Sequence, residues 1–146
     1  MNSIKNIEKN IVEEFEMFDN WTQKYEYLID ISKELPKMES NYKTDENIIK
    51  GCQSKVWLHA DCDDKKILYI ADSDAIMTKG IIALLIRLFS NQKYDDILNC
   101  DLDFIERIGL KDQLSQTRAN GLLAMIKKMK LYALTFKHKY ENEQKK

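Results

Sequence analysis

An α+β domain is what this sequence predicts, and three observations carry that prediction. Apolar residues recur at three- and four-residue intervals at both ends of the chain, as on the buried stripe of a helix. Between those ends the period drops to two, the spacing of a small antiparallel hairpin. One central segment is apolar nearly all round, as suits a helix in the middle of a domain. The chain has 146 residues, 44% hydrophobic and 32% charged, enough to bury one core without disulfide staples. No internal repeat or low-complexity linker divides it, so a single domain over 1–146 is expected: a small antiparallel sheet flanked by helices.

Ile4, Ile7, Ile11, Phe15 and Phe18 mark the first helix, which Asp19-Asn20 breaks. Asn20 with Gln23 resembles a capping box opening a second helix through Tyr25, Leu28, Ile29 and Ile31,. Pro36, the only proline, closes it,. Residues 37–47 are polar and read as a surface loop. Val56, Leu58 and Ala60 then alternate with Trp57, His59 and Asp61, residues 61–66 are turn-like, and 66–71 are rich in strand formers. Asn47-Ile48-Ile49 offers a third strand. Ser73 or Asp74 is positioned to cap a helix from Ala75 to about Phe89,. Short helical pieces follow at 95–98 and 102–105. A last helix starts near Thr117 or Arg118 and places Leu122, Ile126, Met129, Ala133 and Phe136 on one stripe. The charged tail, about 138–146, is expected to fray.

Composition narrows the function. A net charge of -1 provides neither a basic field for nucleic acid nor a polybasic surface for an anionic membrane. Met1-Asn2-Ser3-Ile4-Lys5 lacks the layout of a signal peptide, and the apolar run 80–86 is too short to span a bilayer,. A cytoplasmic protein is the default expectation. Three cysteines, Cys52, Cys62 and Cys100, form no CxxC pair and no local metal-ligand spacing,. The four glycines form neither a P-loop nor a GxGxxG run,.

The informative stretch is Ile48-Ile49-Lys50-Gly51-Cys52-Gln53-Ser54-Lys55-Val56-Trp57. Gly51 permits a tight or left-handed backbone just before the thiol. Gln53 and Ser54 supply hydrogen-bond donors beside the sulfur. Lys50 and Lys55 flank it with positive charge, which favours thiolate. The bland alternative is a cysteine that fills a turn, but an exposed thiol in a reducing cytosol is a liability unless used. Cys62 lies among Asp61, Asp63 and Asp64, whose charges would raise its pKa,. Cys100 reads as a buried residue of a helical region. Neither His59 nor His138 is placed near Cys52, so a Cys-His hydrolase lacks a base.

Gly51-Cys52-Gln53-Ser54-Lys55-Val56-Trp57 resembles the signature of the SufE family, sulfur-acceptor proteins of iron–sulfur cluster assembly. Asp72-Ser73-Asp74-Ala75 followed by Lys79-Gly80 is a second match, and Leu114-Ser115-Gln116-Thr117-Arg118-Ala119-Asn120-Gly121-Leu122 a third. They come in family order, and the resemblance covers residues 20–136. The chain departs from the usual pattern at Lys55, where glutamine is usual, and at Gln116, where proline is usual.

The resemblance implies a fold shared with IscU-type cluster scaffolds. It also implies that Cys52 accepts sulfur, as a persulfide, from a pyridoxal-phosphate cysteine desulfurase of the SufS type. That sulfur would pass on to a SufB-containing scaffold complex. No cofactor is expected on this chain, the pyridoxal phosphate belonging to the partner, and no metal. Gly51, Gln53, Ser54 and Lys55 would form the acceptor loop. Asp74 would lie near the partner-facing surface, or serve as a helix cap. Arg118 would stabilise the thiolate or persulfide anion, or pair with a surface carboxylate. The expected state is a monomer or weak homodimer without turnover of its own. Two other readings stay open: an IscU-type scaffold, which needs several ligands gathered at one site, and an interaction module that activates a desulfurase without chemistry.

Overall fold

Side-chain caps set the first two helices in the computed structural model, which describes residues 3–144. Ser3 caps α1 (Ile4–Glu16) by accepting the Asn6 N–H, and Asn20 caps α2 (Trp21–Ser32) by accepting the Gln23 N–H,. Gln23 reciprocates by accepting the Asp19 N–H at 2.9 Å. Phe18 falls just beyond α1 and meets the Tyr27 ring, centroid to centroid, at 5.1 Å. The polar segment 37–47 contains two 3-10 turns, Ser40–Tyr42 and Asp45–Asn47. It lies over the outer face of the sheet, where Tyr42 stacks on His59 at 4.6 Å and Lys43 sits above Trp57.

The hairpin consists of β1 (Val56–Asp63) and β2 (Lys66–Ser73), antiparallel, in register from Val56↔Ser73 to Asp63↔Lys66. Asp64 makes the turn with a left-handed φ of 58°. Val56, Leu58 and Ala60 of β1 and Ile67, Tyr69 and Ala71 of β2 face the core. The third strand is not Asn47-Ile48-Ile49. Ile48 makes only an isolated bridge to Trp57, and the Ile49 N–H donates to the Val56 carbonyl at 2.8 Å. The third strand is β3 (Gln92–Lys93), paired antiparallel with Lys66 and Ile67 of β2, in the order β1-β2-β3. Two residues after a left-handed Asn91 (φ 66°) carry no period of their own; tertiary pairing makes them a strand.

The central helix is α3 (Ile76–Phe89), buried along most of its length from Thr78 to Phe89. Its start differs from expectation, because neither Ser73 nor Asp74 caps it in the usual way. The N-cap position is Ala75, without a side-chain cap, while Ser73 and Asp74 bond to Lys55 instead. At Gly80, α3 lies so close to α2 that an added Cβ would collide with the Leu28 carbonyl. Arg87 near the end of α3 grips Glu14 of α1 in a two-pronged ion pair, with one N–O distance of 2.9 Å. Tyr27 of α2 donates to the same carboxylate. Burial first, then the Glu14 partner, pushes the Tyr27 hydroxyl up to about 12. This network ties three helices together at one polar point.

Short helices α4 (Tyr94–Leu98), α5 (Asp103–Arg107) and α6 (Leu110–Gln113) follow, the last without a sequence counterpart. The final helix α7 (Gln116–Gln144) has 29 residues and so runs about 43 Å. Leu122, Met125, Ile126, Met129 and Ala133 face the core, and the Tyr69 hydroxyl donates to the Met129 carbonyl at 2.6 Å. Over 138–144, where fraying is expected, the chain continues α7. Lys137 pairs with Asp95 at 2.7 Å, and the Tyr140 hydroxyl donates to Asp64 at 3.3 Å, so the helix is tied to α4 and to the hairpin turn. The last two residues of that expected tail, 145–146, lie outside the described residues. Among the described residues no helix is long and apolar enough to cross a membrane.

Candidate functional site: a clamped loop that shelters Cys52

Residues 50–55 form a loop whose base is held on both sides. The Ile49–Val56 hydrogen bond closes one side. On the other, Asp74 accepts the Lys55 N–H at 3.0 Å and returns its own N–H to the Lys55 carbonyl at 3.2 Å. The Ser73 hydroxyl donates to that same carbonyl at 2.9 Å and accepts the Ala75 N–H. Asp74 is thus a latch for the loop and not the helix cap that its sequence position suggests. Neighbouring Asp72 is anchored by Lys43 at 2.9 Å and Lys79 at 3.3 Å. Burial alone would raise its carboxyl, but Lys43, the Ser73 N–H and Lys79 together hold it below the usual carboxylate range.

The tip of the loop lies flat on α7. Gly51 has a φ of 96°, open to glycine at little cost,, and a Cβ on it would stand 3.4 Å from that of Ala124. Cys52 faces Gly121: its thiol donates to the Gly121 carbonyl at 3.7 Å, and a Cβ on residue 121 would lie 3.4 Å from the sulfur. Sequence reasoning does not single out Gly121 as a site residue. The available signal is a glycine inside a long helical stripe, which costs the helix about 1 kcal/mol relative to alanine and so wants a packing reason.

Cys52, Gln53 and Ser54 form one wall of a cleft of about 220 Å³. Ile76, Met77, Thr78 and Ile81 at the start of α3 form the second wall, and Thr117, Arg118, Gly121 and Met125 of α7 the third. The structure therefore brings Cys52 and Arg118 to one cleft. Arg118 is exposed there, and among the described residues no carboxylate pairs with its guanidinium. Its N–H is capped by Ser115 at 3.3 Å, which fixes the first turn of α7 despite the missing proline. Gln116 donates to Asn120 at 3.2 Å along that turn.

Lys55 and Lys50 do not line the cleft. Lys50 borders a separate hollow with Asp45, Glu46, Lys127 and Lys128. The expectation that the two lysines favour thiolate is overturned by burial: the half-buried Cys52 thiol is pushed up, with desolvation as the cause,. In a Cys62→Ser, Cys100→Ser background, alkylation of Cys52 by iodoacetamide should rise with pH to a midpoint above the roughly 8.5 of a free cysteine. A midpoint below that value would restore the lysines as the dominant influence.

The other thiols lie elsewhere. Cys62, near the far end of β1, donates to the Asp64 carbonyl at 3.0 Å and is raised by burial and then by Asp63 and Asp64. Cys100 is buried beside Glu8 and raised mainly by burial. Each borders its own hollow, apart from Cys52. Among the described residues no group of three or more His, Cys, Asp or Glu could hold a metal ion, so a scaffold's ligand set is not assembled among them.

Fold and site together define a class: small α+β proteins that present one cysteine on a clamped loop above the first turns of a long helix. A family model described as SufE, an Fe-S metabolism associated domain, matches residues 9–133, and the chain belongs to that family. It is 38% identical over 125 residues to a SufE-like protein of Rhizobium meliloti, covering 82% of this chain and 89% of that one. It is 37% identical to a SufE-like protein of Synechocystis, covering 86% and 79%. SufE-like protein 1, chloroplastic/mitochondrial, of Arabidopsis thaliana is 39% identical over 136 residues; the match covers 92% of this chain but 37% of that longer protein. A hypothetical protein from Thermus thermophilus, solved in solution, superposes with a TM-score of 0.74 at 18% identity, covering 88% of this chain and 94% of that one. That likeness shows the α+β fold.

Proposed function

We propose that this protein takes a sulfur atom from a cysteine desulfurase onto Cys52, stimulates that desulfurase in doing so, and delivers the sulfur for iron–sulfur cluster assembly in the cytoplasm. Membership of a family tied to iron–sulfur metabolism sets the context. The observation that carries the reading is a single thiol, sheltered against α7 in a cleft that also holds the free guanidinium of Arg118. A carrier must keep its cargo from oxidants and stray thiols, yet present it to two partners.

The chemistry is thiol exchange with sulfur as cargo. The Cys52 thiolate attacks the outer sulfur of the donor's persulfide, a new S–S bond forms, and the donor cysteine leaves as thiolate. The proton of Cys52 goes to water, and no outside oxidant or reductant is needed. Burial disfavours the thiolate of the resting Cys52. Transfer then requires the loop to swing outward about Gly51, where the thiol is rehydrated and Lys50 and Lys55 can favour its anion. After return, Arg118 and the first turn of α7 supply positive potential to the persulfide. The sulfur passes next to a SufB-containing scaffold complex.

Intact-protein mass spectrometry after incubation with a cognate desulfurase and cysteine tests this reading. The expected result is a gain of one sulfur atom, reversed by reductant. No gain with a desulfurase of proven pairing would sink it.

A further inference from the structure

We propose that the bare α-carbon of Gly121 is the seat of the outer sulfur in the Cys52 persulfide, so that residue 121 decides whether the loaded site can close. This rests on the reading of Cys52 as a sulfur acceptor.

The resting geometry sets the space available. A methyl on residue 121 would stand 3.4 Å from the Cys52 sulfur and 3.9 Å from its Cα and Cβ. That is an ordinary contact for a bare thiol, so the reduced protein tolerates alanine there. A second sulfur bonded about 2 Å from the first would, if turned toward α7, fall in the volume of that methyl.

The base of the loop is held at Ile49–Val56 and Lys55–Asp74, so room for a methyl beside the second sulfur is made only by lifting the tip of the loop off α7, which opens the site. Charge sets the direction. The opposite wall, Ile76, Met77, Thr78 and Ile81 at the start of α3, carries no charged side chain, whereas the guanidinium-bearing Arg118 lies on the Gly121 side. A persulfide anion is favoured toward that side. Glycine weakens a helix interior, and the second sulfur is what this one accommodates. Gly121 is a positioning residue, acting on where the outer sulfur rests and not on whether the thiol can attack.

The test compares wild type, Gly121→Ala and Asn120→Ala, all in a Cys62→Ser background. Asn120 is exposed on the same turn, its side chain meeting Gln116 at 3.2 Å, and controls for a change in the stability of that turn that puts no methyl beside the thiol. Each protein is loaded with one sulfur from inorganic polysulfide, whose S–S bond breaks as the Sγ–S bond forms, leaving a shorter polysulfide anion. Loading is repeated with a desulfurase. Cyanide then removes the outer sulfur as thiocyanate, and the decay rate is read. In Gly121→Ala the persulfide should decay at least about fivefold faster, the low end of what overpacking by one methyl does. Asn120→Ala should match wild type, and the thiol form of Gly121→Ala should melt no lower than wild type.

Equal decay in Gly121→Ala and wild type overturns the proposal, as does equal acceleration in Asn120→Ala. A thiol form of Gly121→Ala that melts well below wild type overturns it too, since the methyl must fit beside the bare thiol. If polysulfide loads Cys52 but the desulfurase does not, the carrier reading fails while the decay rates still decide the role of Gly121.

Discussion

Gly80→Ala should destabilise the protein by about 2–3 kcal/mol, lowering its melting temperature by roughly 5–10 °C. An added Cβ would collide with the Leu28 carbonyl oxygen and crowd the carbonyl carbon at 2.9 Å, both backbone atoms of α2. A side chain in the way could rotate aside; a helix backbone has to move as a unit. Alanine would return about 1 kcal/mol of helix propensity, which does not offset prying α2 from α3. The Glu14–Arg87–Tyr27 cluster at the same interface resists such a shift and adds to the strain. Thermal denaturation followed by circular dichroism checks this. A variant as stable as wild type would mean that the two helices slide apart at little cost.

Cys52→Ser should remove sulfur uptake altogether while leaving the fold intact, because the side chain is nearly isosteric and only half buried. The larger effect is kinetic. Under turnover limited by sulfur transfer, a carrier's stimulation of the desulfurase vanishes with the thiol, since hydroxyl cannot take over persulfide exchange. A module that activates its partner without chemistry keeps its stimulation in the variant. Desulfurase turnover with saturating cysteine, measured with each form in excess, separates the two. Undiminished stimulation by Cys52→Ser would overturn the carrier reading and favour an interaction module.

The helices and the hairpin were legible because amphipathic periods survive in the chain, as in Ile4, Ile7, Ile11 and Phe15, or Val56, Leu58 and Ala60. The thiol loop was legible as well, since a glycine before an isolated cysteine at a change of period stands out. Features made by tertiary pairing were not. β3 exists because Asn91 turns the chain back onto Ile67, and α7 stays helical to Gln144 because Lys137 and Tyr140 find partners remote in sequence. Asp74 has the chemistry of a cap, but only folding decides that it binds Lys55 instead of the start of α3. The two lysines mislead for a related reason: neighbours along the chain say which charges are near a thiol, not how much water is left around it.

The clamps at the base of the loop also act as a leash. Cys52 is the third residue after Ile49, the last position held on that side. Three extended residues reach about 10 Å at most. With the clamps intact, the Cys52 backbone can be carried no farther than that from Ile49, and the sulfur only the length of its own side chain beyond. A donor whose own sulfur lies at the bottom of a deeper shaft could be served only by admitting part of the rigid body, or by undoing the Ile49–Val56 bond to let out more line. The reach of the leash therefore limits the depth at which any partner can keep the atom to be collected.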